Sequence, residues 1–231
     1  MKVFLTSFPK SGTHMVKQAL TALVPFRSEL PMYMRSIGIK HTPQVMAQLI
    51  LSSAGEGIWL GHLEHSKIVR DTLTNDGWKV IFLYRDLRDA AVSYAHYSTR
   101  FKHNLHYQNF ANAGNYLERL RRTIEGFDDF PDIGTRMAYF LGWLGESAVF
   151  SARYEDILEN PIEQYGKMAA YLGFKEERAD DMLRAVSPDE CVTFRRGIRG
   201  SWRDELPEAL WGTFNRCAGK INAKLGYGRC E

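Results

Sequence analysis

The stretch KVFLTSFPKSGTHMVKQAL, residues 2–20, decides the fold. Val3 to Phe8 is a short apolar run that reads as a buried strand. Thr13 to Leu23 puts Met15, Val16, Ala19, Leu20 and Leu23 on one broad face of a helix. Between them Pro9, Lys10, Ser11, Gly12 and Thr13 form a turn of mostly small residues that opens straight into the helix. A turn of this kind leaves several amides outside the helical ladder and aims the positive end of the helix dipole outward, which suits a phosphate. Lys10 adds a full positive charge, Ser11 and Thr13 add hydroxyls, and Gly12 lets the backbone approach a ligand closely. Taken alone, the turn fits an ordinary strand-to-helix connection with a solvated lysine equally well.

Working outward, further strands are predicted at Gly57–Leu60, Val80–Tyr84 and Ala148–Tyr154. Helices are predicted at about 43–53, 66–74, 86–99, 113–125, 133–146, 161–172 and 176–186, and the least regular parts are 24–41, 100–112 and 195–206. Apolar strands separated by helices imply an α/β fold with a parallel central sheet covered on both faces. No linker or shift of composition divides the chain, so one domain is expected over residues 1–231.

Composition narrows the function classes. Hydrophobic residues at 45% and charged residues at 25% match a globular protein, and no apolar run is long enough to span a bilayer, so no membrane partner is expected. The short apolar run before Pro9 lacks the organisation of a signal peptide, which makes a cytoplasmic location the expectation. Cys191, Cys217 and Cys230 are odd in number and lack zinc-site spacing, so reduced thiols and no metal are expected. A net charge of +3 gives no reason to invoke nucleic acid. Arg195, Arg196, Arg199 and Arg203 nevertheless crowd into nine residues, which suggests a compact anionic ligand.

The order Lys10-Ser11-Gly12-Thr13 differs from the nucleotide-kinase pattern G-x-x-x-x-G-K-[ST], in which the lysine follows the second glycine. The loop is therefore P-loop-like rather than a P-loop. SFPKSGTHM, residues 7–15, resembles the 5′-phosphosulfate loop of sulfotransferases that use 3′-phosphoadenosine 5′-phosphosulfate (PAPS). YRDLRDAAVSYAHY (84–97), RYEDI (153–157) and FRRGIRGSWRD (194–204) resemble three later stretches of that family in the same order. The resemblance implies that Lys10, Ser11, Gly12, Thr13, His14 and Met15 hold the 5′ end of the nucleotide. It implies that Arg85, Ser93, Arg195, Arg196 and Gly197 form the 3′-phosphate pocket, that Tyr154 belongs to the nucleotide site, and that Trp202 closes the late loop over the nucleotide. His14 stands where the family has a second threonine and Met15 where it has an adenine-stacking tryptophan, which leaves the adenine stack unassigned.

The residues also carry a direct reading. Arg85 follows an apolar strand and Ser93 lies two turns into the next helix, so both can reach a phosphate at the carboxyl end of the sheet. The competing reading is an ion pair between Arg85 and a neighbour such as Asp89, with Ser93 as a packing residue. Sulfuryl transfer needs a cation near the leaving phosphate and a base near the acceptor. Lys10 suits the first role. For the second, WLGHLEHSK (59–67) offers His62 and Glu64. By resemblance His62-Leu63 matches the family's catalytic His-Leu segment, and an imidazole is suited to proton transfer near neutral pH. Leu60 stands where many cytosolic members have a lysine, and Glu64 where they have proline. Some carbohydrate-directed relatives use a carboxylate base, so Glu64 stays open as the alternative.

His96, His103 and His106 fit no strong metal spacing. Tyr94, Tyr97, Phe101, Tyr107 and Phe110 are candidates either for an acceptor pocket or for packing. The reading is a PAPS-dependent sulfotransferase acting on a hydroxyl or amine of a small-molecule or glycan acceptor. A P-loop kinase and a non-catalytic module binding 3′-phosphoadenosine 5′-phosphate (PAP) are the alternatives.

Overall fold

Val3, Phe4 and Leu5 are buried on both faces of their strand, which suits β1 (Lys2–Ser7) to the middle of a sheet. It pairs in parallel with β3 (Gly57–Gly61) on one side and β4 (Trp78–Tyr84) on the other. β2 (Phe26–Glu29) extends the sheet beyond β3 and β5 (Val149–Arg153) extends it beyond β4, giving the order β2-β3-β1-β4-β5. These facts come from a computed structural model that describes residues 1–29, 42–52, 55–100, 102, 105–187, 189 and 197–231. In this order the chain leaves β1 at the point where strand succession reverses direction, and open α/β sheets bind ligands at the carboxyl ends of strands at such a point.

Two compact units are formed, one from Met1–Tyr84 with Phe140–Phe194 and the other from Arg85–Tyr139 with Arg195–Glu231. The first unit contains the whole sheet, with α1 (Thr13–Thr21), α2 (Pro43–Ser52) and α3 (Lys67–Asn75). In the second unit α4 (Leu87–Tyr97), α5 (Tyr107–Ala111), α6 (Tyr116–Glu125) and α7 (Ile133–Ala138) follow. The chain then returns to the first unit for α8 (Tyr154–Glu159), α9 (Pro161–Tyr171) and α10 (Ala179–Arg184), and ends in the second with α11 (Trp202–Glu205) and α12 (Trp211–Lys224).

One face of the sheet presents Val3, Leu5, Ile58, Leu60, Ile81 and Leu83 to Val16, Ala19 and Leu20 of α1 and Tyr165, Met168 and Ala169 of α9. The other face is aromatic: Trp78 meets Phe4 and Trp59 edge-on at 6.0 and 6.2 Å, and Phe82 stacks on Phe140 at 6.3 Å. Alternating side chains thus bury both faces, as expected of a parallel sheet.

The expected strands are all present, and their differences from the prediction have local causes. The region read as irregular from residue 24 contains β2, whose four residues FRSE give no apolar run to detect. The predicted strand to Tyr154 stops at Arg153, where α8 begins. The single helix predicted over 133–146 is α7 followed by a 3-10 turn at Leu141–Gly145. There Gly142 packs so tightly on His65 that a Cβ would lie 2.0 Å from its Nδ1, and Trp143 Nε1 donates to the Leu63 carbonyl at 2.9 Å. α12 was not expected at all; it buries Phe214, Ala218, Gly219 and Asn222, a face too mixed in polarity to read as an amphipathic stripe. No helix among the described residues is long and apolar enough to cross a membrane.

A single hydroxyl joins α9 to the edge of the sheet. The Tyr171 hydroxyl accepts from Val80 N–H at 2.9 Å and lies 3.0 and 2.8 Å from the carbonyls of Val80 and Ala148. Tyr171→Phe should therefore lower unfolding free energy by about 1–2 kcal/mol, measured from the urea midpoint. An unchanged midpoint would show that water replaces the hydroxyl without loss.

Candidate active site

The turn after β1 has a backbone that ordinary residues avoid. Lys10 adopts φ 71° and Gly12 φ 85°, both left-handed. For a lysine this costs about 1–2 kcal/mol, so the surrounding structure must enforce it. Alternation of left-handed residues turns successive amides toward a common centre and forms an anion-binding nest. Gly12 is also the N-cap of α1 and brings no side chain to cap it; Val16 N–H makes the bond to the Gly12 carbonyl at 3.1 Å. The amides ahead of Val16 lie outside the helix's own ladder.

Two further observations suit this loop to a phosphate-like group. Ser11 is fully buried and its Oγ makes no hydrogen bond to any of the described residues. A buried hydroxyl in that state costs about 1–3 kcal/mol unless a ligand supplies its partner. Gly12 is also packed against an aromatic ring: a Cβ there would lie 2.5 Å from Tyr154 Cδ2, with Met15 Cε at 3.6 Å. Tyr154 and Met15 therefore both lie against the space a Cβ at residue 12 would take, and a side chain there would fill the cradle. His14 and Met15 are both half-buried in the first turn of α1.

The register between β1 and β3 brings in the histidine. Leu5 lies opposite Leu60 and Thr6 opposite Gly61, so the residue after β3 emerges beside Ser7. His62 Nδ1 is 2.9 Å from the Ser7 carbonyl and 3.1 Å from its hydroxyl. A carbonyl can only accept, so Nδ1 carries a proton, and in the neutral imidazole the lone pair is on Nε2. The Ser7 hydroxyl is also 2.6 Å from Thr13 Oγ1, which links His62 through one residue to the start of α1. The chain around His62 is pinned as well, since Thr6 Oγ1 accepts from Leu63 N–H at 2.9 Å and donates to the Leu63 carbonyl at 3.2 Å. Glu64 lies beyond this tether and is exposed. His65 is a structural residue, held by Glu146 at 2.9 Å and edge-on to Trp143 at 5.0 Å.

The first unit thus gathers Lys10, Ser11, Gly12, Thr13, Met15, His62 and Tyr154 around one loop. Sequence reasoning missed Ser7. Its available signal was a hydroxyl residue at the last position of the central strand, one register step from the histidine.

In the second unit, Arg85 and Asp89 precede Ser93 along the start of α4, at four-residue spacing. Arg85 is buried, pairs with Asp89 at 3.4 Å and donates to the Ile198 carbonyl at 2.8 Å. The ion pair considered as the competing reading is therefore present, and it is part of a larger assembly with the loop at 197–202. Ser93 is half-buried and Gly197 is left-handed at φ 62°. Arg195 and Arg196 lie outside the described residues. Trp202 is buried, with the Arg88 guanidinium 4.0 Å from its ring centre, so it anchors the loop to α4.

Several of the remaining candidates make packing contacts. His96 pairs with Glu205 at 2.8 Å, and His106 is buried against Phe127 and Phe130; His103 lies outside the described residues. Tyr94 and Phe110 join Phe127 and Phe130 in an aromatic cluster over which the buried Arg136 guanidinium lies 3.9 Å from the Phe130 ring centre. Burial lowers the Arg136 pKa to about 10. Phe101 lies outside the described residues. Among the described residues, no group of three or more His, Cys, Asp or Glu side chains is placed to hold a metal ion.

Comparison with known proteins bears on these sites. A family model described as "Sulfotransferase domain" matches residues 1–226 and so spans both units. The mouse sulfotransferase SULT7A1 complexed with PAP superposes with a TM-score of 0.69 at 17% identity, covering 97% of this chain and 88% of that one. Retinol dehydratase in complex with androsterone and PAP gives 0.65 at 18% identity over 96% and 80%, and its complex with retinol and PAP gives 0.64 at 15% over 96% and 81%. Likeness at these identities establishes a shared fold. No curated protein matches the chain by sequence.

If the left-handed Lys10 is held for function, removing its side chain should relieve strain. Lys10→Gly should leave stability unchanged or raise it by up to about 1 kcal/mol in chemical denaturation. A loss of more than about 1 kcal/mol would show instead that the lysine side chain supports the fold.

Proposed function

This chain belongs to the sulfotransferase family, and from that premise we propose that it transfers a sulfuryl group from PAPS to a hydroxyl or amine, with His62 as base and Lys10 at the leaving group. The two units are read as one sulfotransferase domain, a reading supported by the family match across residues 1–226. That match also leaves the P-loop kinase alternative without support. The observation that carries the mechanism is the 2.9 Å contact from His62 Nδ1 to the Ser7 carbonyl, because it fixes the ring beside the loop and, in the neutral imidazole, sets the proton on Nδ1.

In the proposed step an acceptor oxygen or nitrogen attacks the sulfur in line with the bridging oxygen of PAPS. One bond forms to sulfur as the sulfur–oxygen bond to the 5′-phosphate breaks. The acceptor proton passes to His62 Nε2, and the electron pair stays with the phosphate oxygen of the departing PAP. Lys10 and the amides of the nest neutralise that growing charge, which is where a fixed cation lowers the barrier most. Ser11 and Thr13 supply hydroxyls to the same group. Leu60 provides no second cation on this side, so the leaving group depends more heavily on Lys10.

The nucleotide's 3′-phosphate is assigned to Arg85, Ser93 and Gly197, with Arg195 and Arg196 included by resemblance. Tyr154 and Met15, both close to Gly12, are the residues proposed to border the nucleotide in the first unit. A small-molecule acceptor is supported by the androsterone and retinol in the complexes of the solved relatives. Glu64, exposed and beyond the Thr6 tether, is the weaker candidate for the base.

Transfer of labelled sulfate from PAPS to a panel of phenols, alcohols, amines and sugars tests this assignment. His62→Ala should lower transfer by about 100-fold or more while PAP affinity stays nearly unchanged, and the wild-type rate should fall as pH drops through the imidazole titration. Glu64→Gln should be mild. The reverse ranking in folded protein would move the base to the carboxylate, and full activity in both variants would remove a protein base from the mechanism.

A further inference from the structure

The second unit contains a buried carboxylate with no role in the proposed chemistry. Asp89 lies in the first turn of α4 and is only 1% exposed. Burying a carboxylate is expensive unless its oxygens are fully hydrogen-bonded. Here they are. Oδ2 accepts from Gly200 N–H at 2.6 Å, and Oδ1 accepts from Trp202 N–H at 2.9 Å and the Ser201 hydroxyl at 3.1 Å. Oδ2 also lies 3.4 Å from Arg85 Nη2, and the same nitrogen donates to the Ile198 carbonyl at 2.8 Å.

The consequence is a closed loop of contacts between two segments more than a hundred positions apart. Asp89 holds the backbone at 200–202, Ile198 holds Arg85, and Arg85 pairs with Asp89. Asp89 caps α11 from another helix, since the N-cap Ser201 makes no capping bond of its own. Gly197 and Gly200, left-handed at φ 62° and 72°, give the segment the turn this grip requires. On α4, Asp89 and Ser93 are four residues apart and share a face.

We infer that Asp89 is a positioning residue for recognition of the 3′-phosphate: it fixes the Arg85 guanidinium and the 197–202 loop as one rigid set of donors. It does not touch the phosphate, and a carboxylate would repel it. Its contribution is to keep donors in place that would otherwise have to be ordered on binding, a cost that falls on affinity. This rests on the assignment of Arg85, Ser93 and Gly197 to the 3′-phosphate.

The substitution that probes this most cleanly is Asp89→Asn, which keeps the shape but turns an amide nitrogen toward donors that need an acceptor. Calorimetry should be run on wild type and variant with PAP and with 5′-AMP, which lacks the 3′-phosphate. Wild type should prefer PAP strongly. In Asp89→Asn that preference should fall by about tenfold or more, with AMP affinity unchanged. A purely structural aspartate would lower both affinities together or neither. If Asp89→Asn does not fold, as judged by circular dichroism, Ser201→Ala removes one donor and should lower the preference by about threefold. A preference retained in the folded variant would overturn the inference. A wild type that does not distinguish PAP from AMP would overturn the 3′-phosphate assignment itself, and the inference with it.

Discussion

The left-handed turn at the end of β1 is the constraint on which the rest depends. Lys10 holds a left-handed φ of 71° despite its Cβ, and the glycine at φ 85° cannot be exchanged for a residue with a side chain without changing the backbone path. That path starts α1 uncapped and gathers amides toward one centre. It buries the Ser11 hydroxyl without a partner among the described residues and presses Gly12 against Tyr154. Each feature is unfavourable in a loop that only joins a strand to a helix. Together they make sense if an anion completes the loop, because the same amides, hydroxyl and charge then all find partners.

The sheet explains why His62 is found beside this loop. Parallel pairing of β1 with β3 sets Ser7 next to the residue that follows Gly61, and Ser7 then does two things. Its carbonyl fixes the tautomer of His62, and its hydroxyl reaches Thr13. A one-residue slip between these strands would break both contacts and would turn the alternating faces of β1 inside out. The placement of His62 and the packing of the core are therefore held by the same register.

Much of this was legible in the sequence. The order Pro-Lys-Ser-Gly-Thr after an apolar strand carries its chemistry in residue types and spacing, and β3, β4 and β5 announce themselves as apolar runs. What stayed hidden depends on partners distant in the chain or on segments with no periodicity. β2 is four mostly polar residues, recognised as a strand only by its pairing with β3. α12 has a mixed face that becomes intelligible through Asn222, which accepts from Leu87 N–H at 3.0 Å. Ser7 looks like any strand residue until His62 is set beside it. Arg85 could be read either as a phosphate ligand or as half of an ion pair, and the structure shows that the ion pair belongs to the scaffold of the loop at 197–202.

The most direct measurement separates chemistry from binding at Lys10. Single-turnover sulfuryl transfer by Lys10→Ala at saturating PAPS should be set against the PAP dissociation constant of the same variant. Because the lysine's charge matters most as the bridging oxygen becomes anionic, the expected result is a fall in rate of about 100-fold or more with affinity weakened far less. A rate that recovers fully once nucleotide is saturating would contradict this, and would make Lys10 a residue that only holds phosphate.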